Sequence, residues 1–162
     1  MALLEVIIEG DDRLRKKCKE VKKFDKELAT LLDDMYETMV KNNGCGIAAP
    51  QVGVLYRAFI IDIEGMKIEF INPSLSEMSG SCILKEGCLS VPNMSGYVDR
   101  PTHVKVSAFT RDGTPFAMVL NDYPARVVCH ENDHLDGILY IDKLVKSKEN
   151  LTNKKKSKEL IK

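Results

Sequence analysis

Residues 122–137 read Asp-Tyr-Pro-Ala-Arg-Val-Val-Cys-His-Glu-Asn-Asp-His-Leu-Asp-Gly, and their reading decides what surrounds them. Asp122 is a natural helix N-cap, and Pro124 is tolerated in a first turn, where its missing N–H costs nothing. Gly137 is the residue a helix end favours just beyond its last turn. The segment is therefore read as a helix. On it His130 and His134 are four residues apart, so both imidazoles project from one face and can reach a single metal ion. Glu131 sits beside them, placed to take a proton from a metal-bound water. Cys129 and Asn132, about 100° and 200° round the helix from His130, face away from that side. The bland alternative is a solvated helix face that carries two histidines by chance.

A catalytic site of this kind needs a third protein ligand and an open position for water. In one class of HExxH enzyme a third histidine follows six residues after the second, but here that position is Tyr140. Downstream glutamates, Glu149 and Glu159, lie in a lysine-rich stretch with weak apolar periodicity. The remaining soft donors are the cysteines. Cys88, in Glu86-Gly87-Cys88-Leu89-Ser90, stands out because Gly87 lets the backbone approach closely. For Cys18, Cys45, Cys82 and Cys129 the simpler reading is a small buried apolar residue.

Outward from this helix the chain alternates short elements. Asp11 or Asp12 caps a short helical turn before Cys18, and Asp25 opens a longer helix carrying Leu28, Leu31, Leu32, Met35 and Met39 at helical spacing. Asn42-Asn43-Gly44 ends it, and the small residues of 44–53 read as loop or irregular strand. Residues 54–63 and 66–71 are β-branched runs joined by Glu64-Gly65, a hairpin; residues 72–80 are turn-rich. Residues 83–91 suggest a strand passing into a loop. Residues 104–108 and 116–120 form a second hairpin about Asp112-Gly113. The order is α+β, not alternating βαβ. The expectation is one compact domain, residues 1–144, with short mixed or antiparallel strands around a central HExxH helix. Residues 145–162 would follow as a lysine-rich helix or tail, not a separate domain.

With 162 residues the chain is about one domain on the usual ~100–200 residue scale. At 44% apolar and 30% charged, its composition is that of an ordinary globular protein. Five cysteines are an odd count, unsuited to a closed disulfide framework. The apolar patch at residues 3–8 is too short for a signal peptide, and no window approaches a membrane span. A cytoplasmic protein with reduced thiols, acting away from membranes and as a monomer, is expected.

Three stretches, GCGIAAPQ (residues 44–51), EGCLS (86–90) and HENDH (130–134), occur in this order and spacing, and together they resemble the signature motifs of the peptide deformylases. The resemblance extends to DDRLRKKCKEV (11–21), RDGTPF (111–116) and HLDGILYIDKL (134–144), so it covers nearly the whole chain. It implies that Cys88, His130 and His134 are metal ligands and that Glu131 is the general acid and base. It also implies that Gln51 and the Leu89 backbone N–H stabilise an oxyanion, and that Gly46 holds the formyl-amide end of the substrate. The reaction implied is hydrolysis of the N-formyl group from the initiating methionine of nascent chains, with release of formate. The family generally works with Fe²⁺ and accepts Zn²⁺, Ni²⁺ or Co²⁺; a thiolate ligand suits these softer ions. Glu86 and Ser90 read as residues that fix the loop, and His103 as a surface or edge histidine.

Three positions depart from the family pattern. Asn132 replaces an apolar residue, Cys129 a common Gln, and Cys45 a branched apolar residue. None touches a ligand, so they bear on stability, rate and substrate preference. Other readings are a metallopeptidase cutting internal bonds, a catalytically weakened metal-binding module, or a cysteine hydrolase built on Cys88. The last leaves the pairing of two histidines on one helix face unexplained.

Lysine plus arginine balances aspartate plus glutamate, 24 against 24, which at first argues against a nucleic-acid partner. The balance hides two unlike parts. From Lys143 to Lys162, eight lysines face two glutamates, leaving 16 basic and 22 acidic residues elsewhere. Such a run is commonly a solvated face. Similarity to bacterial relatives implies instead a ribosome contact through this stretch, and its surplus of positive charge suits ribosomal RNA.

Overall fold

The Asp25 side chain accepts the Leu28 N–H at 3.0 Å, and from that cap α1 runs over Lys26–Lys41. A computed structural model describes residues 2–146 and 160–161. After α1 come β1 (Gly46–Ala48), a 3₁₀ turn (Ala49–Val52), β2 (Ala58–Ile63) and β3 (Met66–Ser79). β4 (Cys82–Cys88), β5 (Val91–Arg100), β6 (His103–Phe109) and β7 (Pro115–Asn121) follow, then α2 (Asp122–Leu135). A 3₁₀ turn (Tyr140–Lys143) and the two-residue β8 (Leu160–Ile161) complete the described elements.

Five strands form one antiparallel sheet in the order β1-β2-β3-β6-β7. A second sheet, β5-β4-β8, pairs β4 antiparallel with β5 and parallel with β8. β2 explains why the first sheet is a middle layer. Phe59 and Ile61 join the cluster containing Val127, Val128 and Leu135 of α2. Ala58 and Ile60 join the cluster of Leu28, Leu32 and Met35 of α1. Both faces of the strand are dry, so it reads as a continuous apolar run with no alternation. A third cluster, Cys88, Val91, Val98, Leu139 and Tyr140, lies at the second sheet. α2 is buried on most of its circumference, down to Arg126, His130, Glu131 and His134, which makes it the central helix.

The α+β class, the mixed and antiparallel strands and the central helix agree with the sequence expectation. Three local readings change. Residues 72–79 continue β3 where turns were expected. Asn72 adopts a left-handed conformation (φ 51°) at a register shift, and its side-chain amide bridges the backbone N–H and C=O of Val21 at 2.8 and 2.9 Å. β5 has no strand pattern in its sequence (Pro92, Asn93, Ser95, Gly96) and exists because β4 offers it an edge. The α2 cap is Asn121 rather than Asp122, whose N–H is taken by the Thr102 carbonyl at 2.7 Å. Of the proposed tail, residues 147–159 and 162 lie outside the described residues.

Candidate metal centre and active site

Four segments converge. α2 brings His130, Glu131 and His134 to one side, and β4 ends at Cys88. β1 and the turn after it bring Gly46 and Gln51. The extended N-terminal segment ties these loops together. Ile7 N–H donates to the Gln51 carbonyl at 2.8 Å, and Glu9 N–H to the Ser90 carbonyl at 2.7 Å. At the end of α2, Gly137 (φ 74°) is held so close to the Arg15 carbonyl that no side chain fits there.

One potential ligand atom from each of Cys88, His130 and His134 lies within 4.8 Å of the others, and all three residues are buried. Cys88 Sγ is 3.4 Å from His134 Nε2. His130 Nδ1 is 2.8 Å from Glu86 Oε1. A carboxylate only accepts, so Nδ1 carries a proton, and Nε2 is the ring nitrogen a metal ion would take. That Nε2 is buried with no hydrogen-bond partner among the described residues, and so is Glu131 Oε1. Unpaired buried acceptors beside a thiol and a second imidazole are what a soft divalent ion satisfies, so these residues fit one.

The sequence model of the polypeptide deformylases matches residues 3–150. The chain belongs to the polypeptide deformylase family. It is a metal-dependent hydrolase that removes the N-formyl group from nascent peptides. Peptide deformylase 1 of Clostridium acetobutylicum is 47% identical over 150 residues, 93% of this chain and 100% of that protein. The peptide deformylase of Caldicellulosiruptor bescii is 52% identical over 146 residues, 90% of this chain and 88% of that one. The crystal structure of peptide deformylase from Thermotoga maritima aligns with a TM-score of 0.87 at 38% identity, covering 88% of this chain and 98% of that one. An actinonin-bound class I type b peptide deformylase from Acinetobacter baumannii gives 0.84 at 37% identity, covering 88% and 99%.

In this deformylase Glu86 is the electrostatic hub. Its Oε2 accepts from Arg100 Nε at 2.9 Å and Arg126 Nη1 at 2.5 Å, and its Oε1 from Arg100 Nη2 at 3.0 Å and from His130 Nδ1. Burial raises its pKa, but His130 and Arg100 outweigh burial and hold the carboxyl well below the usual range. Burial pushes Glu131 up to about 7. For His130, burial opposes protonation, but Cys88 and Glu86 outweigh it and raise the pKa. Gln51 is fixed at both ends of its amide. Oε1 accepts from Ala48 N at 2.9 Å, while Nε2 donates to Ser90 Oγ at 3.2 Å and lies 3.5 Å from Cys88 Sγ.

Gly46 runs against Glu131 so closely that a Cβ there would stand 2.5 Å from Glu131 Oε2. Leu89 follows Cys88 in the turn between β4 and β5. All seven residues singled out in the sequence thus lie in the converging segments. His103 stays on the edge hairpin, its Nδ1 2.8 Å from Asn121 Oδ1. Glu149 and Glu159 lie outside the described residues. Sequence reasoning missed Arg100 and Arg126, which are 3% and 2% exposed, because an arginine on a strand or helix ordinarily reads as a surface residue. Pairing with the equally hidden Glu86 accounts for their burial.

Proposed function

We propose that Cys88, His130 and His134 hold the ion and that Glu131 is the acid and base of the hydrolysis. Gln51 and the Leu89 backbone N–H stabilise the oxyanion, and Gly46 holds the formyl-amide end of the substrate. The observation that carries this reading is one thiol, two imidazoles and a carboxylate with one unpartnered oxygen gathered in one buried site. Fe²⁺ is the working ion in this reading, with Zn²⁺, Ni²⁺ or Co²⁺ able to replace it, since a thiolate favours these over Mg²⁺. Once bound, such an ion supplies a Lewis acid and makes water acidic enough to attack near neutral pH.

Glu131 takes a proton from the attacking water as its oxygen adds to the formyl carbon. Gln51 Nε2 and Leu89 N–H donate to the formyl oxygen as negative charge develops there, each contributing roughly 3–4 kcal/mol. The C–N bond then breaks while Glu131 returns the proton to the departing amine. The products are formate and a free N-terminal methionine. Anaerobic purification with metal analysis and a formate-release assay on a formyl-Met peptide tests the scheme. Glu131→Ala is expected to retain the ion and lose activity by at least ~10²-fold. Wild-type rates in that variant refute the role of Glu131, and cleavage of internal bonds favours the peptidase reading.

We assign residues 1–144 as the catalytic unit and 145–162 as an appendage, in a cytoplasmic monomer that meets nascent chains at the ribosome. No described helix is long and apolar enough to cross a membrane. The lysine surplus of residues 143–162 supports a contact with ribosomal RNA. Truncation after Leu144 would also remove β8, so the cleaner variant exchanges Lys154, Lys155 and Lys156 for Gln. It is expected to weaken ribosome binding and spare hydrolysis of a small formyl peptide; equal ribosome affinity removes the idea.

A further inference from the structure

Of the 16 basic residues outside residues 143–162, eight fall between Arg13 and Lys26, against two acidic ones, Glu20 and Asp25. The other eight stand among 20 acidic residues, and six of them are in ion pairs. Within the 13–26 strip Arg13 pairs with Asp11 and Arg15 with Asp142. Lys16, Lys17, Lys19, Lys22, Lys23 and Lys26 are all exposed, and none is in an ion pair among the described residues. Unneutralised positive charge is thus gathered in one short strip on an otherwise acidic body.

The strip is held in place by its backbone. Cys18 N–H donates to the Leu135 carbonyl at 2.8 Å, Lys19 N–H to the Leu55 carbonyl at 2.9 Å, and Arg57 N–H to the Lys19 carbonyl at 2.9 Å. Asn72 bridges Val21 in the same way, and Leu14, Cys18 and Val21 are buried between the lysines. Like charges fixed side by side repel one another, and a polyanion relieves that repulsion with little further ordering of the chain. The strip also adjoins the second basic stretch. Arg15 Nη1 donates to Asp142 Oδ2 at 2.5 Å, next to Lys143, and to the Gly137 carbonyl at 3.4 Å. Both basic stretches therefore meet along one edge of the molecule. The apolar residues among the lysines point inward, so the strip offers a lipid surface nothing to insert. Ammonium groups with no base-stacking partner suit the phosphates of RNA, read without sequence preference.

We propose that the lysine strip of residues 16–26 is an RNA-binding surface through which the enzyme contacts the phosphates of ribosomal RNA. It extends the basic edge on which residues 143–162 begin. The proposal rests on the reading that this enzyme meets nascent chains at the ribosome, and not on residues 143–162 as the point of contact.

Binding of the full-length protein to purified ribosomes over a KCl series tests this. The variant carries Lys16→Gln, Lys17→Gln and Lys19→Gln together, and the Lys154, Lys155 and Lys156 to Gln variant runs beside it. The three strip lysines are exposed and unpaired, so Tm and hydrolysis of a small formyl peptide should match the wild type. Ribosome affinity is expected to fall at least ~10-fold at about 0.1 M salt, and the slope of log K against log salt to flatten by roughly 2. Unchanged affinity, or a fall with no change in slope, overturns the RNA contact. Weak binding by the tail variant alone assigns the contact to residues 143–162 and overturns the strip. A wild-type protein that binds no ribosomes overturns both readings, and one that binds phosphatidylserine vesicles instead assigns the strip to a lipid surface.

Discussion

Gly46 illustrates how much a single missing Cβ controls. Its backbone runs against Glu131, and a methyl group there would stand 2.5 Å from Oε2, 2.9 Å from the carboxyl carbon and 3.0 Å from Cγ. Glu131 is buried, so it has little room to yield. Gly46→Ala is therefore expected to bind metal normally and to lose formate release by at least ~10²-fold, because the displaced carboxylate no longer reaches its proton. Metal analysis alongside the rate separates this from general misfolding. Asn132 is the opposite case, a side chain with more polarity than its place uses. It lines a cleft of about 410 Å³ with Pro73, Leu75 and Cys129, on the side of α2 away from His130 and His134. Its Oδ1 is buried without a partner among the described residues. Asn132→Ile removes that atom and fills part of the cleft, for a gain of about 1–2 kcal/mol and a Tm several degrees higher. Calorimetry showing an unchanged or lower Tm would contradict the argument.

At the scale of elements, α2 is joined to the second sheet by charge as much as by apolar packing. Arg126 donates to Glu86 Oε2, to the Val98 carbonyl at 3.1 Å and to the Cys82 carbonyl. Arg100 on β5 donates to Glu86 and, at 2.6 Å, to Asp133 of α2. A buried ion pair is weak evidence for stability in itself, but removing one partner leaves the other charged and poorly solvated. Arg126→Met is expected to cost about 3–5 kcal/mol in urea denaturation. It should also lower metal affinity, since Glu86 orients His130. Arg13→Met, at an exposed pair with Asp11, is the control and should change stability little. A loss for Arg126→Met no larger than that control would show that the network is not needed. The helices and the hairpin strands β2, β6 and β7 were legible locally, through spacing, caps and turns. β5 and the far half of β3 were not, because their strand character comes from paired neighbours rather than from their own residues.

Across the whole molecule, carboxylate–arginine clasps close distant parts of the chain. Arg111 links Asp33 of α1 to Glu69 of β3 at 2.9 and 2.5 Å, and Arg15 joins Asp142 across 127 residues at 2.5 Å. The hydrogen bond from Arg111 lowers the pKa of Asp33. Burial raises that of Asp142, but Arg15 and the Leu139 N–H outweigh it and lower the net value. A carboxylate with a depressed folded pKa contributes stability above its unfolded value, near 3.8 here, and loses it as pH falls through the folded value. Acid unfolding should therefore set in below about pH 4 and steepen toward pH 2. Arg111→Gln should flatten part of that slope, and parallel slopes for the two proteins in pH-dependent urea titrations would count against the clasp.

The ordered motifs at residues 44–51, 86–90 and 130–134 determined the family, the hydrolytic chemistry and the helix at its centre, because ligand spacing on a helix is a local property. Glu131, His130 and His134 needed nothing beyond that periodicity. Cys88 could be singled out as a donor, but its approach to His134 across 46 residues belongs to the packing of β4 against α2. The same holds for Glu86, Arg100 and Arg126. Each looks ordinary in the sequence, and each acquires its role only when burial removes water and brings the three together.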